Sequence, residues 1–196
     1  MDLNQLQEKA SECRLCELYN GRIKPVFARG NPESGIIVCG MCPGPDENKV
    51  GYPFVGVAGK VLNKVLLKAY GGSNFVYITN LVKCFVHPGL SLNSNWMNSC
   101  LPYFLVQIKL INPKVIITLG ADVTNFLLNT NNRIGEMRGK VFDYLNLKLI
   151  ATYHPSYLAR GGGEKHRHFM RVVNDFSKAL PYTEGDTYYA GLQGTN

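Results

Sequence analysis

The residues of this chain best suited to chemistry fall in four groups. Cys13 and Cys16 form a Cys-x2-Cys pair, and Cys84 and Cys100 are separated by fifteen residues. Four thiols so spaced suit a soft-metal site, either zinc or an iron–sulfur cluster, although a zinc ribbon more often shows two close pairs. Asp46 and Glu47 place two carboxylates inside a Gly/Pro-rich stretch. Asn80 follows a short apolar run, and its amide offers both a donor and an acceptor. His154 opens the phrase His154-Pro155-Ser156 after another apolar run. Each type also has an ordinary structural use: free Cys is mostly buried, and Asn often forms turns.

Short strands must carry these groups. Ile36 to Cys39, Phe75 to Ile78, Val115 to Leu119 and Leu147 to Thr152 read as buried parallel strands. Between them the spacing predicts helices over Lys60 to Tyr70, Met97 to Ile111, Ala121 to Leu128 and Lys165 to Leu180, with a first helix near Leu3 to Ala10. Lys140 to Tyr144 and part of Tyr19 to Arg29 are candidates for outer strands. Alternating strands and helices imply an α/β fold, three layers deep, with a central four-stranded parallel sheet. Loops Gly40 to Gly59, Thr79 to Lys83 and Tyr153 to Gly163 then fall at the carboxyl ends of parallel strands, where open sheets bind ligands. The first of these, at about twenty residues, far exceeds the usual βα connection.

The 196 residues are 45% hydrophobic and 18% charged, as in a globular chain. Residues 1–180 are expected to form one domain and 181–196 a flexible tail. The net charge of +7 and pI of about 9.1 favour a polyanionic partner, nucleic acid first. No apolar run matches a membrane span, and MDLNQLQEKA has no signal-peptide core. A monomer in the cytoplasm or on the nucleoid, neither membrane-bound nor secreted, is the expectation.

Taken in order, Cys13-x2-Cys16, Gly40-x-x-Pro43-Gly44, Gly51-x-Pro53-Phe54-Val55-Gly56-x-x-Gly59, Thr79-Asn80-x-x-Lys83-Cys84, Cys100 and His154-Pro155-Ser156-Tyr157-Leu158 resemble the motifs of the family-four, iron–sulfur uracil-DNA glycosylases. The resemblance runs from about Cys13 to Phe176. It implies a structural [4Fe–4S] cluster on Cys13, Cys16, Cys84 and Cys100. It implies that Asn80 reads the edge of a flipped uracil in DNA, that Phe54 stacks on it, and that His154 stabilises the leaving anion. Tyr157, Leu158 and Arg160 would enter the duplex and touch phosphate, with Lys165 adding a backbone contact.

The first loop departs from the family pattern. Where Gly-Glu-Ala-Pro-Gly is usual, the chain has Gly40-Met41-Cys42-Pro43-Gly44, so the carboxylate thought to hold the attacking water is Met41 and the next pocket residue is Cys42. Glu47 is then the best surviving carboxylate for catalysis, with Asp46 weaker. The expected activity is hydrolysis of the uracil N-glycosidic bond, leaving an abasic site. Two alternatives stay open: a weak or inactive uracil- or modified-DNA-binding module serving a replication or repair partner, and a glycosylase for another base.

Overall fold

The computed structural model describes residues 1–183. Among them a single sheet has six strands: β1 (Ala28–Gly30), β2 (Ile36–Gly40), β3 (Tyr77–Asn80), β4 (Val115–Leu119), β5 (Val141–Tyr144) and β6 (Leu147–Thr152), in the order β1-β3-β2-β4-β6-β5. The expected four-stranded parallel sheet is its centre, β3-β2-β4-β6. The four-strand count is corrected: β1 and β5 add antiparallel edges. Both are short, and β5 alternates exposed with half-buried residues, so neither carries the continuous apolar run that marks a central strand.

Side chains alternate across β2. Ile36 and Val38 face a core shared with α3 (Val57–Tyr70) and α8 (Phe169–Ser177). Ile37 and Cys39 face a second core shared with α4 (Ser94–Ile111) and α5 (Ala121–Leu128). The helices thus cover both faces, as a parallel sheet requires. In α3 the apolar stripe is Val61, Leu62, Val65 and Leu66, and Gly71 ends the helix in the left-handed conformation. α4 begins three residues before the expected start because the Asn93 side chain caps it, accepting from Trp96 N at 3.0 Å. α8 begins at Phe169, not Lys165, because Gly162 and Gly163 have positive φ and His166 is extended. Lys165 and Arg167 therefore precede the helix that was expected to carry them.

Short helices were hidden in the loops. Besides α1 (Leu3–Ser11), the chain forms α2 (Pro45–Val50), α6 (Ile134–Met137) and α7 (Pro155–Arg160). Pro at the first position of α2 and α7 fits a helix start. No helix of the described residues is long and apolar enough to cross a membrane. Of the tail expected from residue 181, residues 184–196 lie outside the described residues.

Candidate active site

Parallel registration brings the strand ends level. Gly40 pairs with Asn80, Cys39 with Thr118, and Leu119 with Thr152. A cavity of about 450 Å³ opens there, lined by Cys42, Asp46, Glu47, Phe54, Asn80 and His154 among others. Residues from all three expected loops therefore meet at one place.

The walls fit only because certain positions lack a side chain. A Cβ on Gly40 would lie 2.4 Å from Asn80 Oδ1 and 2.7 Å from the Phe54 ring. Phe54 itself has φ of 55°, which is costly for a bulky residue and is tolerated where surrounding structure enforces it. Two clamps supply that enforcement. Arg29 donates to Pro53 O at 2.8 Å and to Phe54 O at 3.4 Å. Glu47 Oε1 accepts from Val55 N and Gly56 N, both at 2.9 Å. One oxygen of Glu47 is thus committed to holding the Phe54 loop. The Asp46 carboxylate, exposed at the pocket rim beside Gly56, has no hydrogen bond or ion pair with any described residue.

Asn80 is 1% exposed, and its Oδ1 is a buried side-chain acceptor with no partner. Leaving such a group unpaired costs about 1–3 kcal/mol. The backbone beneath it is fixed by Lys83, whose ammonium donates to Asn80 O, Thr79 Oγ1 and Gln107 Oε1 at 2.5, 2.8 and 2.7 Å. Burial without a carboxylate partner lowers the Lys83 amine to about 8.

His154 caps α7. Its Nδ1 accepts from Ser156 N at 3.1 Å and lies 2.8 Å from Ser156 Oγ. An acceptor Nδ1 places the proton of the neutral ring on Nε2. Burial, reinforced by Arg160 and opposed by Glu47, lowers the imidazole to about 4. The folded state therefore favours neutral His154 over the whole physiological range. This predicts that any activity needing neutral His154 stays level as pH falls from 8 to 5 and declines only near pH 4, as a pH–rate profile on the intact protein would show. The same shift predicts a stability contribution held above the ordinary histidine value of 6.5 and lost as pH falls from there toward 4.

Other expected residues take different places. Cys42 lines the pocket, but Met41 is 6% exposed and packs in the apolar core on the α4 side. Tyr157 is half-buried, and Arg160 and Lys165 are exposed. Leu158 is fully buried against α3 and α8. Burial of a Leu is worth about 1.5–3 kcal/mol, so Leu158 packs the core, whereas Arg160 stands at the surface. Arg29 and Ser156 were missed as site residues. Arg29 lies 24 residues from the loop it holds, with no local signal. Ser156 stood within a recognised phrase, but its bond to His154 needs three dimensions.

The [4Fe–4S] cluster expected on Cys13, Cys16, Cys84 and Cys100 is also corrected. The four thiols line one cavity with Arg22, Lys83 and Tyr103, but its volume is about 10 Å³, the room of a single water. Among the described residues no group of three or more His, Cys, Asp or Glu is placed to hold a metal ion. Arg22 Nη1 donates to Cys84 Sγ at 3.2 Å, and burial raises the Cys84 thiol and pushes that of Cys100 up to about 11.

Residues 27–177 match the model of the uracil DNA glycosylase superfamily. The chain belongs to the uracil-DNA glycosylase superfamily. It is similar to the type-4 uracil-DNA glycosylase of Thermotoga maritima, with 35% identity over 90% of this chain and 92% of the relative. It is similar also to those of Pyrobaculum aerophilum, with 33% identity over 82% and 86%, and Saccharolobus solfataricus, with 35% over 79% and 76%. The uracil-DNA glycosylase match takes in every pocket residue named above, from Cys42 to His154, but leaves out Cys13 and Cys16.

Proposed function

We propose that the protein is a DNA-repair glycosylase that hydrolyses the bond between uracil and deoxyribose. The single observation that carries this reading is Asn80 Oδ1, a buried acceptor with no partner at the floor of the pocket. Uracil N3–H supplies the missing donor, and the Asn80 amide supplies a donor to O4. Phe54 packs beside the base, its ring 5.9 Å from that of His154. A base in this pocket is out of the helical stack, as chemistry on a nucleobase in DNA requires.

In the proposed reaction a water oxygen bonds to C1′ while the C1′–N1 bond breaks. The electron pair leaves on uracil as an anion delocalised onto O2. His154 Nε2–H donates to that oxygen, so a neutral ring suffices and no proton need be lost from it. The water's proton passes to a carboxylate in the first turn of α2. Asp46 and the second oxygen of Glu47 are the candidates, since Glu47 Oε1 is held by two amides.

Single-turnover excision from a uracil-containing single-stranded oligonucleotide tests the reading. His154→Ala is expected to slow it by about 10²–10³-fold, the usual effect of removing one donor to a developing oxyanion. Absence of excision by folded protein overturns it. Glu47→Gln keeps an acceptor for the two amides but removes charge. If Glu47 is the base, this change alone slows excision by about 10²–10⁴-fold. If Asp46 is the base, Asp46→Asn does so instead. A binding role is the second reading. It is favoured by Met41, which puts an apolar group where the resemblance leads one to expect a carboxylate.

A further inference from the structure

A second cavity, about 690 Å³, adjoins the first and shares Cys42, His154 and Ser156 with it as a common wall. Its volume lies within the range of small-molecule sites. Its lining includes two tyrosines and an arginine. Tyr153 and Tyr157 line it, their ring centroids 5.1 Å apart. His168 lies parallel to Tyr153, at 5.2 Å and 8°. The Tyr157 hydroxyl meets His168 Nδ1 at 3.2 Å. The two tyrosines are thus backed by a second ring and cannot swing freely. Arg133 also lines it, exposed, and its guanidinium has no hydrogen bond or ion pair with any described residue; two residues on, a Cβ at Gly135 would lie 3.8 Å from the Tyr153 hydroxyl. Asp122 also lines this space and sets a negative limit at its α5 end.

A braced aromatic surface beside a free cation is the combination that holds single-stranded nucleic acid: a base stacks, and the backbone meets positive charge. We infer that this cavity takes the nucleotide next to the target, stacked on Tyr153 with its phosphate toward Arg133. The protein then acts on single-stranded DNA in preference to duplex. The neighbour must leave its own stack to reach Tyr153, which a paired strand resists. This inference rests on the base pocket being the uracil site, because the shared wall puts the two nucleotides side by side.

The test uses the full chain and a single-stranded oligonucleotide in which the target is an uncleavable 2′-fluoro uridine. 2-Aminopurine is set between pyrimidines on either side of it in turn. Binding is expected to quench 2-aminopurine at one of the two positions in the wild-type protein and in Tyr153→Phe. Tyr153→Leu is expected to lose the quenching and to weaken single-strand binding by about 5–150-fold, the range for loss of one base–aromatic stack. Duplex binding should change far less. Arg133→Gln should lower the salt slope on single strands by about 0.7, one phosphate's share. No quenching at either position, or equal losses on single strand and duplex in Tyr153→Leu, overturns the inference. Excision is scored separately on ordinary uracil DNA. Quenching without excision removes the proposed reaction and leaves this site standing; excision without quenching does the reverse.

Discussion

Asn80→Ala is expected to cut single-turnover excision of uracil by about 10²–10⁴-fold, because two buried hydrogen bonds of about 1–3 kcal/mol each disappear from the base edge. The same variant should be no less stable than the parent. In the free protein Oδ1 has no partner, so removing it removes a penalty of the same order. Few substitutions at a buried polar residue behave this way, and the pair of results is diagnostic. Thermal or urea unfolding beside the kinetic measurement reads both halves. An Asn80→Ala protein that excises at the parent rate would take base recognition away from this residue. One that loses several kcal/mol of stability would show that the side chain serves the fold instead.

Gly59→Ala is the second change with a large expected effect. A Cβ at Gly59 would stand 1.8 Å from Phe54 O and 2.2 Å from Phe54 C, both backbone atoms that cannot turn aside. Alanine is normally better than glycine inside a helix by about 1 kcal/mol, and Gly59 lies in the first turn of α3. Here overpacking of about 1–3 kcal/mol opposes that gain and should exceed it. The Phe54 loop must also move, and a displacement near 1 Å at a reacting site is worth about 10²-fold in rate. Lower stability together with a loss of at least that size is expected in melting and excision measurements. Gly21→Ala is the matched control, since nothing lies within 4 Å of its added Cβ. Parent-like excision by Gly59→Ala would show that the left-handed Phe54 is not needed.

Much of this site was legible in one dimension. The four central strands are apolar runs bounded by Gly, Asn and Pro, and their parallel order follows from the helices between them. Once the strands are parallel, residues at their carboxyl ends must share an edge, which is why Asn80, His154 and the Phe54 loop meet. What escaped was information that no local window contains. Arg29 closes a contact across 24 residues, and Leu158 turns inward only because α7 lies on α3. The edge strands gave a fainter signal, three or four residues of mixed polarity, yet β5 lies within Lys140 to Tyr144 and β1 begins inside Tyr19 to Arg29, both expected as outer strands. The thiols misled for the opposite reason: their spacing suggested a ligand set, whereas the cavity they line has space for one water.

The unpaired acceptor on Asn80 has a further consequence for how each cycle would end. It cannot tell uracil joined to sugar from uracil set free, because the edge it reads is unchanged by cleavage. On the proposed reaction, the released base remains a ligand for the site that recognised it. Departure of uracil then competes with the next encounter, and many turnovers proceed more slowly than the first. On the same proposed reaction the free base would also stabilise the native protein by mass action, raising the unfolding temperature as its concentration passes its dissociation constant.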